Sequence, residues 1–304
     1  MKKPIAAQRP KSTTESVDER FEKLDQMAVS DLVRLMNEVD TDVPRAIAQS
    51  QQQITKAIEA ISSNYLAGGR IIYVGAGTSG RIATLDASEI YPTFGVSDRV
   101  IAVMAGGKDA LVNPAEGAED DGAKGAQAID DLQAGPTDTV VGVASSGTTP
   151  FVLEAIEQAK QRGATTVGIA CNSPSELGAI SDYPIEVVVG PEVIAGSTRL
   201  KAGTAQKMIL NMISTITMVK AGKTYGNMMV DVVASNIKLK RRAKNIVSHL
   251  AEVDTDIAEQ ALENCGWNVK RAIVSIKLAV SANDAAELLE RSNGYLAIAL
   301  GETD

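Results

Sequence analysis

Histidine is almost missing from this sequence: His249 is the only one among 304 residues, and it lies far along the chain from every glycine-rich stretch. That argues against a Ser-His-Asp device or a histidine-built metal site, and it leaves acid–base work to carboxylates or lysine. Cysteine is nearly as scarce. Cys171 and Cys265 stand alone, with no second thiol or His at metal-ligand spacing, and read as small buried hydrophobes. No apolar run approaches the roughly 20 residues that a membrane-spanning helix needs. Residues 1–14 are polar and carry no apolar segment of the signal-peptide kind, so a soluble cytoplasmic protein is expected. Basic charge is in deficit, with 30 Lys and Arg against 38 Asp and Glu, a net charge of −8. That argues against a nucleic-acid surface. An anionic metabolite remains compatible, because backbone N–H groups at a helix N-terminus hold phosphate without help from net charge.

What is present is a chain large enough for one substantial core, or a core with a small appendage. Residues 1–30 read as an arm without a core of its own. Ser30 is expected to cap a short helix carrying Asp31 in its first turn. Asp42-Val43-Pro44 then opens a longer helix, whose Ile47, Ile54, Ile58, Ile61 and Leu66 form an amphipathic stripe up to Gly68-Gly69. From there strand and helix alternate. Short β-rich runs fall at 71–74, 100–104, 139–143, 166–170 and 185–189, with helical stretches at 79–90, 114–132 and 150–162 and a long apolar helix at 204–220. Nearly continuous apolar strands alternating with helices predict an α/β fold with a doubly wound, five-stranded parallel sheet of flavodoxin-like order. N-terminal helices flank a domain spanning 31–246. Residues 247–304 read as a small three-helix, ubiquitin-associated-like module, with a plain helical cap on the sheet domain as the alternative.

Two Ser/Thr-Gly loops follow strands. Gly75-Ala76-Gly77-Thr78-Ser79-Gly80-Arg81 follows the first, and Ala144-Ser145-Ser146-Gly147-Thr148-Thr149-Pro150 follows the third. In a 2-1-3-4-5 sheet the winding reverses between strands one and three, so both loops face one crevice. Glycine lets backbone approach a ligand, hydroxyls donate to anionic oxygens, and each loop opens a helix N-terminus. The first loop also fits G-x-G-x-x-G. The acidic residue that a dinucleotide site wants after the second strand is replaced here by Ala105-Gly106-Gly107. Plain strand–helix turns with no ligand are the other alternative.

At these loops the sequence resembles the sugar isomerase (SIS) family of phosphosugar-binding domains. Six blocks in order, Gly75–Arg81, Asp86–Glu89, Ala105–Gly107, Glu116–Asp120, Gly196–Lys207 and Asn227–Val232, resemble an etherase branch of that family from about Asp31 onward. The resemblance implies a carbon–oxygen lyase that removes the D-lactyl ether of a 6-phosphorylated N-acetylmuramic acid by elimination and then hydration. It implies a homodimer with no metal or other cofactor, acting on a small phosphosugar substrate, with no nucleic-acid or membrane partner. It assigns Glu89 and Glu119 as the catalytic carboxylates, and Thr78, Ser79, Ser145, Ser146 and Thr149 as the phosphate-binding set. Gly77, Glu116, Ser197 and Lys201 are possible further substrate contacts. Glu116 and Glu119 are expected to share one face of the helix at 114–132. Two departures lie beside the expected pocket: Thr148 stands where the branch usually has Arg, and Ile90-Tyr91 replaces Cys-Pro. Aldose–ketose isomerisation and sugar-phosphate sensing without catalysis are the alternatives within the same family.

Overall fold

The computed structural model describes residues 12–302. Three 3₁₀ turns (Thr13–Glu15, Glu19–Phe21 and Leu24–Gln26) lead into helices α1 (Val29–Asp40), α2 (Asp42–Gln49) and α3 (Gln51–Leu66). Strand and helix then alternate through β1 (Ile71–Gly75), α4 (Gly77–Phe94), β2 (Val100–Met104), α5 (Gly122–Asp131), β3 (Thr139–Val143), α6 (Pro150–Gln161), β4 (Thr165–Ala170), α7 (Glu176–Ile180), β5 (Tyr183–Glu186) and α8 (Lys201–Lys220). A two-strand hairpin, β6 (Thr224–Tyr225) and β7 (Met228–Met229), precedes α9 (Ile237–Ala251), α10 (Thr255–Asn264), α11 (Val269–Leu278), α12 (Ala282–Arg291) and α13 (Leu296–Ala299). The chain divides into two compact units. One holds the residues up to Leu85 with Ile101–Met212, the other Asp86–Val100 with the residues from Ile213 on. No helix of the described residues is long and apolar enough to cross a membrane.

In the first unit the strands order as β2-β1-β3-β4-β5, the order expected from the alternation. The pairs β1–β3, β3–β4 and β4–β5 are parallel. Side chains alternate between the two faces of a strand. Ile72, Val74 and Val140 pack with Ile129, Phe151, Val152 and Ile156 under α5 and α6, while α3 lies against β3, β4 and β5. Both faces are therefore covered, which is why every residue of β1 and β3 is buried and the runs read as continuously apolar.

Four expectations need correction. Ser30 does not cap α1: the Ala28 carbonyl already accepts from Asp31 and Leu32 N–H, so Ser30 sits inside the first turn. The long helix expected from Asp42 is two helices broken at Ser50, whose hydroxyl donates to the Glu186 carbonyl (2.7 Å). Ile47, Ile54, Ile58 and Ile61 are buried as expected, but Leu66 at the helix end is exposed. Strand five runs from Tyr183 to Glu186 rather than 185–189. Glu186 is held at the α2–α3 junction by Ser50 and by Gln53 Oε1, which accepts its N–H (3.0 Å), and the chain leaves the sheet after one more bond from Val187 N–H to the Ala170 carbonyl. No helix spans 114–132. Gly117 adopts left-handed φ of 72°, Ala118–Asp120 makes one 3₁₀ turn, and α5 starts only after Asp121, whose carboxylate caps Lys124 N–H. Glu116 and Glu119 therefore share no helix face.

In the second unit, β6 and β7 pair antiparallel across Gly226-Asn227. Helices α9 to α13 surround a core of Val230, Val232, Ile246, Leu262, Val269, Ile273 and Leu296, among others. Its most buried charge is Lys270, whose ammonium donates to the Gly222 carbonyl (2.9 Å), the Gly294 carbonyl (2.8 Å) and Asp231 Oδ2 (2.5 Å). Three acceptors for three N–H bonds let a cation sit inside an apolar bundle.

Candidate functional site

The two Ser/Thr-Gly loops leave the carboxyl ends of neighbouring strands at the same level, since Gly75 of β1 pairs with Val143 of β3. The first turn is tight. A Cβ on Gly80 would lie 2.6 Å from the Gly75 carbonyl oxygen, and one on Gly75 would lie 2.8 Å from Gly80 Cα. Only glycine at both positions lets α4 begin two residues after β1. Thr78 and Ser79 thus sit in the first turn of α4, where its amides are unspent. Ser79 is buried.

The second loop is fixed from beneath. The Ser145 carbonyl accepts from Cys171 N–H (2.9 Å) and from Asn172 Nδ2 (3.3 Å), which also donates to the Ser146 carbonyl (3.2 Å). Asn172 in turn holds the arm: it donates to Thr14 Oγ1 (3.1 Å) and accepts from Thr14 N–H (3.3 Å). The described part of the expected arm, residues 12–30, thus docks through Thr14 here and through Phe21, which packs with Val39 and Val193, and residues 1–11 lie outside the described residues. Ser145 Oγ meets Gln206 Nε2 (3.0 Å). Ser146 Oγ accepts from Thr148 N–H (3.2 Å) and Thr148 Oγ1 (3.0 Å), so Thr148 braces the loop from within. Thr149 occupies the cap position of α6: its carbonyl accepts from Val152 and Leu153 N–H (3.0 Å each), while its hydroxyl makes no cap hydrogen bond. A pair of helix N-termini with hydroxyls in front of them can hold a phosphate.

The other expected residues are placed as follows. Glu116 and Glu119 are exposed in the loop between β2 and α5. Arg81 anchors the start of that segment, donating from Nε to the Leu111 carbonyl (3.1 Å). Ser197 is half-buried in a turn ahead of α8, its carbonyl accepting from Leu200 N–H. Lys201 opens α8 and is buried. Burial pulls its ammonium below the ordinary lysine range, against the attraction of Glu192 and Asp42. The Glu192 carboxylate caps the same helix, accepting from Lys201 and Ala202 N–H (2.9 Å each). Burial, with Glu192 nearby, pushes the Cys171 thiol up to about 12, so this cysteine is an inert core residue as expected. Glu89 belongs to the second unit, exposed on α4, its carbonyl accepting from Thr93 Oγ1 (2.9 Å). Sequence reasoning missed Asn172, Gln206 and Glu192. Of these only Gln206 carried a signal, as part of the Gly196–Lys207 block.

The N-terminal SIS domain of glucokinase regulatory protein matches residues 53–160, and the SIS domain model matches residues 121–216. The chain is 52% identical over 281 residues to an N-acetylmuramic acid 6-phosphate etherase of Rubrobacter xylanophilus, covering 92% of this chain and 93% of that protein. Etherases of the same name from Streptomyces avermitilis and Cutibacterium acnes are 48% and 47% identical, over 95% and 96% of this chain and 93% and 96% of theirs. With its two hydroxyl loops on one parallel sheet and this identity along nearly its whole length, the chain belongs to the N-acetylmuramic acid 6-phosphate etherases of the SIS-domain family.

Proposed function

We propose that this chain is a carbon–oxygen lyase that converts N-acetylmuramic acid 6-phosphate to N-acetylglucosamine 6-phosphate and D-lactate, a step of amino sugar catabolism. The observation that carries the reading is identity near 50% to etherases over more than nine-tenths of the chain. The paired loops support the phosphate grip: Thr78, Ser79, Ser145, Ser146 and Thr149 donate to its oxygens, with the N-termini of α4 and α6 behind them. Gly77, Glu116, Ser197 and Lys201 complete the contacts.

In the open-chain sugar, C2–H lies α to the C1 aldehyde and the lactyl oxygen leaves from C3. A base takes the C2 proton, the C2–C3 double bond forms, the C3–O bond breaks, and an acid protonates the departing oxygen. Water then adds at C3 as a proton returns to C2. Glu89 and Glu119 divide these proton transfers, which two carboxyl groups in opposite protonation states accomplish. The working assembly in this reading is a homodimer.

The test is incubation with N-acetylmuramic acid 6-phosphate in ¹⁸O-labelled water. Elimination and hydration place the label on C3 of the sugar product and none in D-lactate. Label in lactate would mean cleavage on the other side of the ether oxygen, and no lactate at all would remove the assignment.

A further inference from the structure

Two buried amides hold the second loop, and the proposed reaction uses neither. Asn172 grips it by its backbone carbonyls, whereas Gln206, fully buried on α8, grips the Ser145 side chain. A serine hydroxyl has one hydrogen and two lone pairs. Gln206 Nε2 donates to Ser145 Oγ at 3.0 Å and so occupies a lone pair. No hydrogen bond among the described residues takes up the Ser145 hydrogen, which stays available to an acceptor arriving at the loop.

The other end of the amide sharpens the point. Gln206 Oε1 is buried and has no partner among the described residues, so no bond at that end fixes which way the amide faces. Turned over, Oε1 would accept the Ser145 hydrogen, and the serine would offer an incoming anion only lone pairs. An anionic oxygen on the Ser145 hydrogen favours the donating sense of the amide, and the two hydrogen bonds strengthen each other along the chain Nε2–H···Oγ–H···O⁻.

We infer that Gln206 is a positioning residue that commits Ser145 to act as a donor, and thereby tunes the second loop to phosphate monoesters over neutral sugars. The inference rests on the reading of that loop as the phosphate grip.

The test is a double-mutant cycle on Gln206→Leu and Ser145→Ala, read by calorimetric binding of N-acetylglucosamine 6-phosphate and by lactate release. Gln206→Leu should weaken binding and raise KM by about tenfold, with kcat changed by less than about threefold, the pattern of lost uniform binding. In the Ser145→Ala background the same change should cost less than about twofold, because its only route to the ligand is gone. A packing role would cost the same in both backgrounds and would overturn the proposal, as would full affinity in Gln206→Leu. Gln206→Met, which keeps the unbranched shape, carries the same cycle if the leucine variant fails to fold. Binding without lactate release in the wild type would sink the etherase reading and leave this one to the binding cycle. A wild type that binds no phosphosugar would overturn both.

Discussion

Glu89 and Glu119 are both exposed. Their assignment comes from the blocks Asp86–Glu89 and Glu116–Asp120, and it is a proposal with a direct check. Glu89→Gln and Glu119→Gln should each lower turnover by about 10²–10⁴-fold, the range for a lost general acid or base. Binding of N-acetylglucosamine 6-phosphate should hold, since the proposed phosphate grip is on the serine loops. The two losses should not add, as expected of groups that act as one unit. Whichever variant still exchanges the C2 proton with deuterated solvent retains the base. Glu116→Gln is the comparison. It is not one turn along a helix from Glu119, so its milder effect would reflect its own contacts rather than a shared face. If Glu116→Gln abolishes turnover and Glu119→Gln spares it, the assignment within this block is wrong.

Among elements, the start of β1 depends on a carboxylate from the start of β3. Asp138 accepts from Arg70 N–H, Nε and Nη2 (2.9, 3.1 and 2.7 Å) and from Gly135 N–H (3.0 Å). Burial by itself would raise its pKa, but the Arg70 and backbone hydrogen bonds outweigh that and hold it below the ordinary aspartate value of 3.8. A carboxylate with a depressed folded pKa contributes stability that is fully present above the unfolded value and is lost as pH falls through the folded one. Asp138→Asn should therefore cost about 3 kcal/mol at neutral pH, in the range for breaking a largely buried pair. It should also flatten the fall of Tm below pH 4. A variant as acid-sensitive as the wild type would show that other carboxylates govern that limb. The β1–α4 turn offers a second check. Gly80→Ala would drive a methyl group into the Gly75 carbonyl and to 2.3 Å from Met104 Sδ. Overpacking of that kind costs about 1–3 kcal/mol. Because the shift displaces the first turn of α4, phosphosugar affinity should fall with stability. Unchanged affinity would place the ligand away from this loop.

At the level of the whole molecule, the homodimer is the open assembly question. Helix α1 supports it: Val29, Val33 and Met36, spaced by four and three residues, lie on one face and are 76%, 65% and 40% exposed. An apolar stripe on a helix is ordinarily covered, and a second copy of the chain is the occupant proposed here. Light scattering at micromolar concentration should give twice the 31.9 kDa chain mass, and Val33→Asp should halve it. A wild-type protein that stays monomeric removes the dimer, and a dimer unmoved by Val33→Asp removes α1 from its interface.

The sequence alone determined four of the five strand runs, the strand order in the sheet and the two hydroxyl loops at its switch point. Each of these is written in local chemistry: apolar periodicity for the strands, glycine where the Gly75–Gly80 approach leaves no room for a side chain, and Ser or Thr at helix starts. Tertiary structure decided the rest. It broke the helix at Ser50 because the Glu186 carbonyl lies there, ended strand five at Glu186 for the same contact, and made the Glu116–Glu119 segment a loop with Gly117 in the left-handed region. It also set Asn172 and Gln206 beneath Ser145. Local pattern reports which residues can be buried and which can turn. It is silent on which distant carbonyl, carboxylate or amide a polar side chain will meet, and those meetings give this site its shape.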